Sequence, residues 1–267
     1  MKKKKIVLLA FTSLSVALLA ACGSSTGDSD SSNATSGSGA SDGPIYAIGT
    51  DTTFAPFEFE NDEGDFVGID LDLLDAIAKN QGFEYELRSL GFNAAVTALE
   101  AGQVDGVIAG MSINDDRVKK YDFSDPYYES KTGVAVKPDS GITSLEDLKG
   151  KQVVVKTGTT GSEYAEANKD KYGYTVKYVE DSSTMYQDVL GGNSAATFED
   201  YPVIQYEISR GMKLEVVNQS EEGSKYGFAT LKGKQTELVE KFNAGLAELR
   251  ENGEYDEILD RYLGDSE

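Results

Sequence analysis

From Pro44 to the C-terminus, short runs rich in β-branched and aromatic residues alternate with stretches whose apolar residues recur every three or four positions. A chain that switches between those two periods builds layers of sheet and helix, an α/β fold. Residues 45–49 read as a strand. Asp70 is placed to cap a helix over 71–81, whose Leu71, Leu74, Ile77 and Ala78 share one face and which Gly82 ends. The spacing then predicts a strand over 84–90, a helix over 94–101 capped by Asn93, and a short buried strand over 106–109. A second series follows, with strands over 131–136, 152–155 and 175–179, a strand ending near Phe198, and helices over 144–148, 161–168, 182–190 and 202–210. The last strand is expected over 226–231, before helices over 234–252 and 255–263. About 220 ordered residues exceed the commonest size of a single core, so two lobes are expected. No Pro/Gly linker occurs near residue 130, so the chain is expected to cross between lobes in extended strands, twice if the C-terminal helices return to the first lobe.

The residues before Pro44 have a different character. Lysines at positions 2–5 precede an apolar run over 6–20, and the string L-A-A-C ends at Cys22. Basic, then apolar, then small residues make a secretory signal, too short for a comfortable membrane span. Residues 1–21 are therefore read as a lipoprotein signal peptide, with Cys22 as the lipid-bearing first residue of the mature chain, carrying acyl groups such as palmitate. Residues 22–43, dominated by Ser, Gly, Asp, Asn, Thr and Ala, are read as a flexible tether reaching about 25 Å.

Composition removes several functions. Among 267 residues there is no histidine and one cysteine, which excludes His-dependent catalytic triads, His-ligated zinc, disulfide frameworks and CxxC redox pairs. A formal net charge of -21 has the wrong sign for general affinity to nucleic acid or anionic lipid. What remains is an acidic binder or a carboxylate enzyme.

Several local strings bear on chemistry. Arg117 ends N-D-D-R, where a surface ion pair with Asp115 or Asp116 is the plain alternative to an anion clamp. G-T-T-G-S at 158–162 lacks the G-K-[ST] ending of a phosphate loop and reads as a strand-to-helix turn, whose amides at Thr159, Thr160 and Gly161 favour an anion. Asp200 stands before Tyr201 and Pro202, where it reads either as a helix N-cap or as a partner for a cation. D-E-G-D at 62–65 lacks the EF-hand register and reads as a hairpin turn.

The strings D-T-T-F-A-P-F-E-F (51–59), V-G-I-D-L-D-L-L (67–74), A-G-M-S-I-N-D-D-R (109–117), D-F-S-D-P-Y-Y (122–128), V-K-T-G-T-T-G-S (155–162) and E-D-Y-P-V (199–203) together resemble the polar amino-acid-binding proteins of ABC importers, the extracellular solute-binding proteins of family 3. The resemblance runs across the chain after Gly43 and implies a two-lobed periplasmic-binding-protein fold of type II topology, α/β, with two crossover strands at the hinge. Lobe 1 would comprise 44–130 plus 229–267, and lobe 2 131–228. It implies that Arg117 clamps a ligand α-carboxylate, with Gly110, Met111 and Ser112 lining the same pocket and Thr159, Thr160 and Gly161 answering from the other lobe. Asp200 would pair with the α-ammonium, and Phe54 and Phe92 would sandwich the side chain. Asp51 and Lys156 would read the side-chain tip, where a carboxylate and an ammonium together suit a primary amide, with Glu199 nearby. Glutamine is the expected ligand, ahead of glutamate, asparagine or a basic amino acid. The expected partners are an importer's permease and ATPase, at the outer face of a Gram-positive-type cytoplasmic membrane. The chain is expected to act as a monomer, with no cofactor, metal, nucleic acid or catalytic residue. A dehydratase-like catalytic relative is the alternative from another class, with Glu199 and Asp51 as its only suggestive acids.

Overall fold

A computed structural model describes residues 44–264; the segments expected as signal peptide and tether, with Cys22, lie outside the described residues. The chain opens with β1 (Ile45–Thr50), a small antiparallel set β2 (Thr53–Phe54), β3 (Glu58–Glu60) and β4 (Phe66–Val67), helix α1 (Ile69–Gln81), β5 (Glu84–Ser89), α2 (Phe92–Glu100) and β6 (Gly106–Val107). A 3-10 turn at Arg117–Lys119 leads to β7 (Tyr121–Phe123), then β8 (Tyr128–Ser130) and β9 (Thr132–Val136). After a second 3-10 turn at Leu145–Leu148 come β10 (Gln152–Lys156), α3 (Thr160–Tyr172), β11 (Thr175–Val179), α4 (Ser182–Leu190), β12 (Ala196–Asp200), α5 (Tyr201–Ser209) and β13 (Glu215–Gln219). The chain returns through β14 (Ser224–Tyr226) and β15 (Ala229–Leu231) and ends in α6 (Thr236–Asn252) and α7 (Glu254–Leu263).

Two five-stranded sheets divide these elements into two lobes. The first has the order β5-β1-β6-β15-β7 and the second β11-β10-β12-β9-β13. In each, strands on one side of the sheet run parallel, and a strand that enters beside the hinge inserts antiparallel next to the edge: β15 against β6 and β7, β9 against β12 and β13. The crossings themselves, β8 and β14, pair antiparallel, with Tyr128 opposite Tyr226. This is the two-lobed, doubly crossed α/β architecture that the resemblance implies.

Each sheet is covered on both faces, which explains its apolar strands. Alternation along β10 sends Val153 and Val155 toward α3 and its Ala165, and Val154 toward Met185 and Val189 of α4. In the first lobe Ile48 joins Leu73, Leu74 and Ile77 of α1 and Phe242, Leu246 and Leu249 of α6, while Val107 packs on Ala95 and Leu99 of α2. Leu73, Leu74 and Ile77 are fully buried, and each such side chain contributes about 1.5–3 kcal/mol by leaving water. No helix among the described residues is long and apolar enough to cross a membrane.

Several local expectations change. Asp70 does not cap α1: the helix begins at Ile69 after Gly68, and Asp70 turns inward. Asn93 likewise lies inside α2, which starts at Phe92 after Gly91. The segment expected as one last strand is split, because Gly227 and Phe228 carry the chain from the hinge into the first sheet between β14 and β15. The D-E-G-D string is the turn of the β3–β4 hairpin, held by Asn61, whose side-chain oxygen accepts from the Glu63 and Asp65 amides.

Candidate functional site

The first lobe supplies the strand-end residues. Asp51 follows β1, and Gly110, Met111 and Ser112 follow the neighbouring β6. Gly110 has φ of +53°, and a Cβ there would fall 2.2 Å from Cε1 of Phe54, so only glycine lets that ring lie against the strand end. The Gly110 amide donates to Asp70 Oδ2 at 2.8 Å, and the Tyr127 hydroxyl donates to the same oxygen at 2.8 Å, which is why Asp70 turns inward. Met111 buries its side chain in the α2 cluster, and its carbonyl accepts from the Gly227 amide at 3.1 Å.

Arg117 lies in the 3-10 turn with 8% of its surface exposed. Its guanidinium donates to the Ser112 carbonyl and, from the other lobe, the Gly158 carbonyl, both at 2.9 Å, and lies 5.4 Å from the centre of the Phe92 ring. The surface ion pair with Asp115 or Asp116 that sequence allowed does not form among the described residues; Asp116 pairs instead with Lys119 at 2.6 Å. Burial lowers the pKa of Arg117, while Glu163 and Asp200 pull it back up. Phe54 and Phe92 are both buried among core residues, yet each ring also faces a cation, Lys156 in the case of Phe54, at 5.4 Å.

The second lobe answers with charged groups. Lys156 ends β10, is 1% exposed and forms an ion pair with Asp51 across the cleft. Its ammonium also donates to Ser182 Oγ at 3.2 Å, and that hydroxyl donates to Glu199 Oε2 at 2.9 Å. Glu199 Oε1 accepts from the Asp200 amide at 3.0 Å. Burial raises the pKa of Glu199, against the attraction of Lys156 and these two hydrogen bonds. Asp200 occupies the N-cap position of α5 without a side-chain capping bond. Its Oδ2 accepts from the Tyr226 hydroxyl at 2.7 Å, and its Oδ1 is buried without a hydrogen-bond partner among the described residues. Burial first, and then Glu199, raises its pKa to about 7, with the Tyr226 hydroxyl, Arg117 and Lys156 pulling the other way.

Thr159 caps α3, its Oγ1 accepting from the Ser162 amide at 3.2 Å and donating to the Lys156 carbonyl at 2.8 Å. The Thr159 amide is directed at that carbonyl too, at 3.5 Å, rather than standing free. Thr160 Oγ1 lies 3.4 Å from Ser112 Oγ of the other lobe. Gly161 is glycine because a Cβ would meet the Phe198 carbonyl oxygen at 2.4 Å, so α3 starts directly against β12.

The fold thus gathers the expected residues at facing ends of the two sheets. Sequence reasoning missed Ser182, which joins Lys156 to Glu199 and whose amide donates to Thr53 Oγ1 of the first lobe at 3.1 Å. Its one signal was a strand-to-helix turn after β11 like that at Thr160 after β10. Tyr226 was missed as well, since its place in a strand says nothing of the acid its hydroxyl reaches. A cavity of about 790 Å³ lined by Tyr128, Lys131, Tyr201, Tyr206 and Tyr262 lies beside the hinge strands, and none of the charged residues above lines it. Among the described residues no cluster of Cys, Asp and Glu could hold a metal ion. What the charges can do is neutralise both ends of a small zwitterion in a water-poor cleft: a guanidinium suits a carboxylate, and a buried acid with an open oxygen suits an ammonium.

Comparison with known proteins gives the same direction. The chain is 35% identical over 267 residues to the arginine-binding extracellular protein ArtP of Bacillus subtilis (strain 168), covering 98% of each. Among solved structures it is 45% identical to the second substrate-binding domain of GlnP from Lactococcus lactis in an open conformation, covering 85% of this chain and 99% of that one, with a TM-score of 0.59. With an ancestral arginine-binding protein bound to glutamine the identity is 37%, the coverage 83% and 98%, and the TM-score 0.75. A poorer superposition at higher identity fits a different opening of the lobes, since here contacts such as Arg117 to Gly158 span the cleft. The family profile of the bacterial extracellular solute-binding proteins, family 3, matches residues 46–265, and the chain belongs to that family.

Proposed function

We propose that this protein captures free glutamine outside the cell and hands it to the permease of an ABC importer. Binding of an amino acid for ABC import is the function of the family; the choice of glutamine rests on the side-chain end of the site. The carrying observation is the pair of buried opposite charges, Arg117 on one lobe and, on the other, Asp200, whose Oδ1 has no partner among the described residues. In a closed cleft an unpaired terminus of a zwitterion costs several kcal/mol, so a receptor needs both. The carboxylate binds Arg117 and the first turn of α3, the ammonium binds Asp200, and Phe54 and Phe92 flank the side chain. An amide then inserts between Asp51 and Lys156, donating to the first and accepting from the second. The ligand stabilises the closed arrangement by touching both lobes, and is released unchanged when the transporter reopens them.

In this reading lobe 1 comprises 44–130 plus 229–267 and lobe 2 comprises 131–228, and acyl chains on Cys22 hold the monomeric receptor at the membrane. A second reading, an arginine receptor, is favoured by Glu199, a second acid facing the Lys156 ammonium that Asp51 already pairs. ArtP, whose name carries arginine, is among the relatives. Calorimetry of the purified protein against the twenty amino acids decides between them. Glutamine binding at micromolar or better, with arginine at least tenfold weaker, supports the first reading; the reverse order overturns it. Heat from neither would end the amino-acid reading.

A further inference from the structure

Tyr226 touches both halves of the site from the hinge. It is the last residue of β14, is fully buried, and its ring stacks on Tyr128 of the other hinge strand with centroids 5.7 Å apart and planes 26° apart. Phe57 meets it edge-on at 5.1 Å, and Phe54 lies at 6.2 Å. A ring so enclosed keeps one rotamer and a fixed hydroxyl position. The main chain around it holds the first-lobe wall: Tyr226 bridges Ser112, the Gly227 amide donates to the Met111 carbonyl at 3.1 Å, and the Ile113 amide donates to the Lys225 carbonyl at 2.8 Å. Its hydroxyl reaches the end of β12 and donates to Asp200 Oδ2 at 2.7 Å.

We propose that Tyr226 is a positioning residue for amino-acid capture: its hydroxyl fixes the Asp200 carboxylate so that Oδ1 faces the ligand ammonium, while its backbone keeps the Met111–Ser112 wall in register. The proposal rests on the reading that Asp200 receives the ammonium. The groups that face Asp200 are Glu199 on its own strand, Arg117 from the 3-10 turn, Lys156 from β10, Tyr186 from α4 and Tyr226 from β14. Of those that favour its ionised form, the Tyr226 hydroxyl acts most strongly, ahead of Arg117 and Lys156. Removing that hydroxyl therefore raises the pH at which Asp200 loses its charge. An ammonium is held by ionised Asp200, so affinity falls as pH drops through that point, and the fall begins at higher pH in the variant.

The test uses the full chain, with L-glutamine and L-arginine as probes, in wild type, Tyr226→Phe and Asp200→Asn, by calorimetry from pH 5.5 to 9. Phenylalanine keeps the ring and its stacking. A hydrogen bond to a charged group predicts that Tyr226→Phe weakens binding about ten- to a hundredfold at pH 7, and less at pH 9. Carbon-13 titration of the Asp200 carboxyl, without ligand, is expected to show a higher midpoint in Tyr226→Phe than in wild type. Unchanged affinity and an unchanged midpoint overturn the proposal. Full affinity in Asp200→Asn overturns instead the assignment of the ammonium to Asp200, and the carboxyl titration still reports whether the hydroxyl holds the acid.

Discussion

Arg117 shows how one side chain serves both closure and chemistry. Its guanidinium is buried, spends donors on carbonyls from each lobe, and faces Phe92. Alanine at this position should cost binding more than a hundredfold while circular dichroism reports a folded protein, because the turn that carries it is held separately, by the Arg117 amide donating to Asn114 at 2.9 Å. Arg117→Lys should recover only part of the loss, since an ammonium lacks the two parallel donors a carboxylate accepts. Beneath the same wall lies a second charge problem. Glu58 and Asp70 face each other, and neither Glu58 oxygen nor Asp70 Oδ1 meets a donor among the described residues. Burial raises the pKa of Glu58 well above the carboxylate range and that of Asp70 to about 7, so a proton on Glu58 supplies the missing donor. Because the folded value for Asp70 exceeds its usual 3.8, the folded state binds the extra proton between about 4 and 7, and stability falls as pH rises through that window. Urea unfolding at several pH values should show Asp70→Asn losing this component, so that its stability relative to wild type improves from pH 5 to pH 8.

At the scale of elements, the packing of α3 on β12 decides whether the second half of the site forms. Gly161→Ala has to move the first turn of α3 away from the Phe198 carbonyl, which should destabilise the protein by about 1–3 kcal/mol. Thermal unfolding with and without glutamine checks it, and the ligand-bound form should lose more than the free one. Periodicity alone located β11 and α4 with the bounds the structure gives, because Asp181 caps α4 with its side chain and Val176 and Val179 of β11 pack half-buried against the apolar clusters of the second lobe. It failed where the backbone rather than a side chain starts the helix, as at Gly68 and Gly91. Strands of two or three residues carry too few alternations to show a period: β2 was missed, β3 and β4 were expected only as the arms of the D-E-G-D hairpin, and β8 only as an extended crossing between lobes. The buried charges were legible only through family motifs. Pattern along the chain does not say that Lys156 meets Asp51, whereas the order of known motifs does.

The whole molecule is two cores joined by one antiparallel pair of strands, so its lobes are free to turn about β8 and β14 unless something bridges the cleft. Among the described residues the bridges are Phe59 against Tyr206, Val203 in the core cluster of the first lobe, and the polar pairs Lys156 to Asp51, Arg117 to Gly158, Thr160 to Ser112, Ser182 to Thr53, Asn114 to Glu163 and the exposed Arg210 to Asp62 at 2.7 Å. The last is worth little in water. A ligand that touches both lobes adds to these contacts and should shift the balance further toward closure. At a glutamine concentration a hundred times Kd the protein should gain about 2.7 kcal/mol of stability, and small-angle scattering should show a smaller radius of gyration. An increase in the unfolding midpoint without compaction would separate binding from closure.

The position of β15 has a consequence for how this chain reaches its native state. The strand lies between β6 and β7, drawn from near the end of the sequence into the middle of a sheet begun at its start. During synthesis and export the second lobe, continuous from β9 to β13, can assemble as soon as it emerges, while the first must wait with an open slot for the final segment, including α6. A nascent chain stalled before residue 229 would present that gap to any chaperone or neighbouring copy.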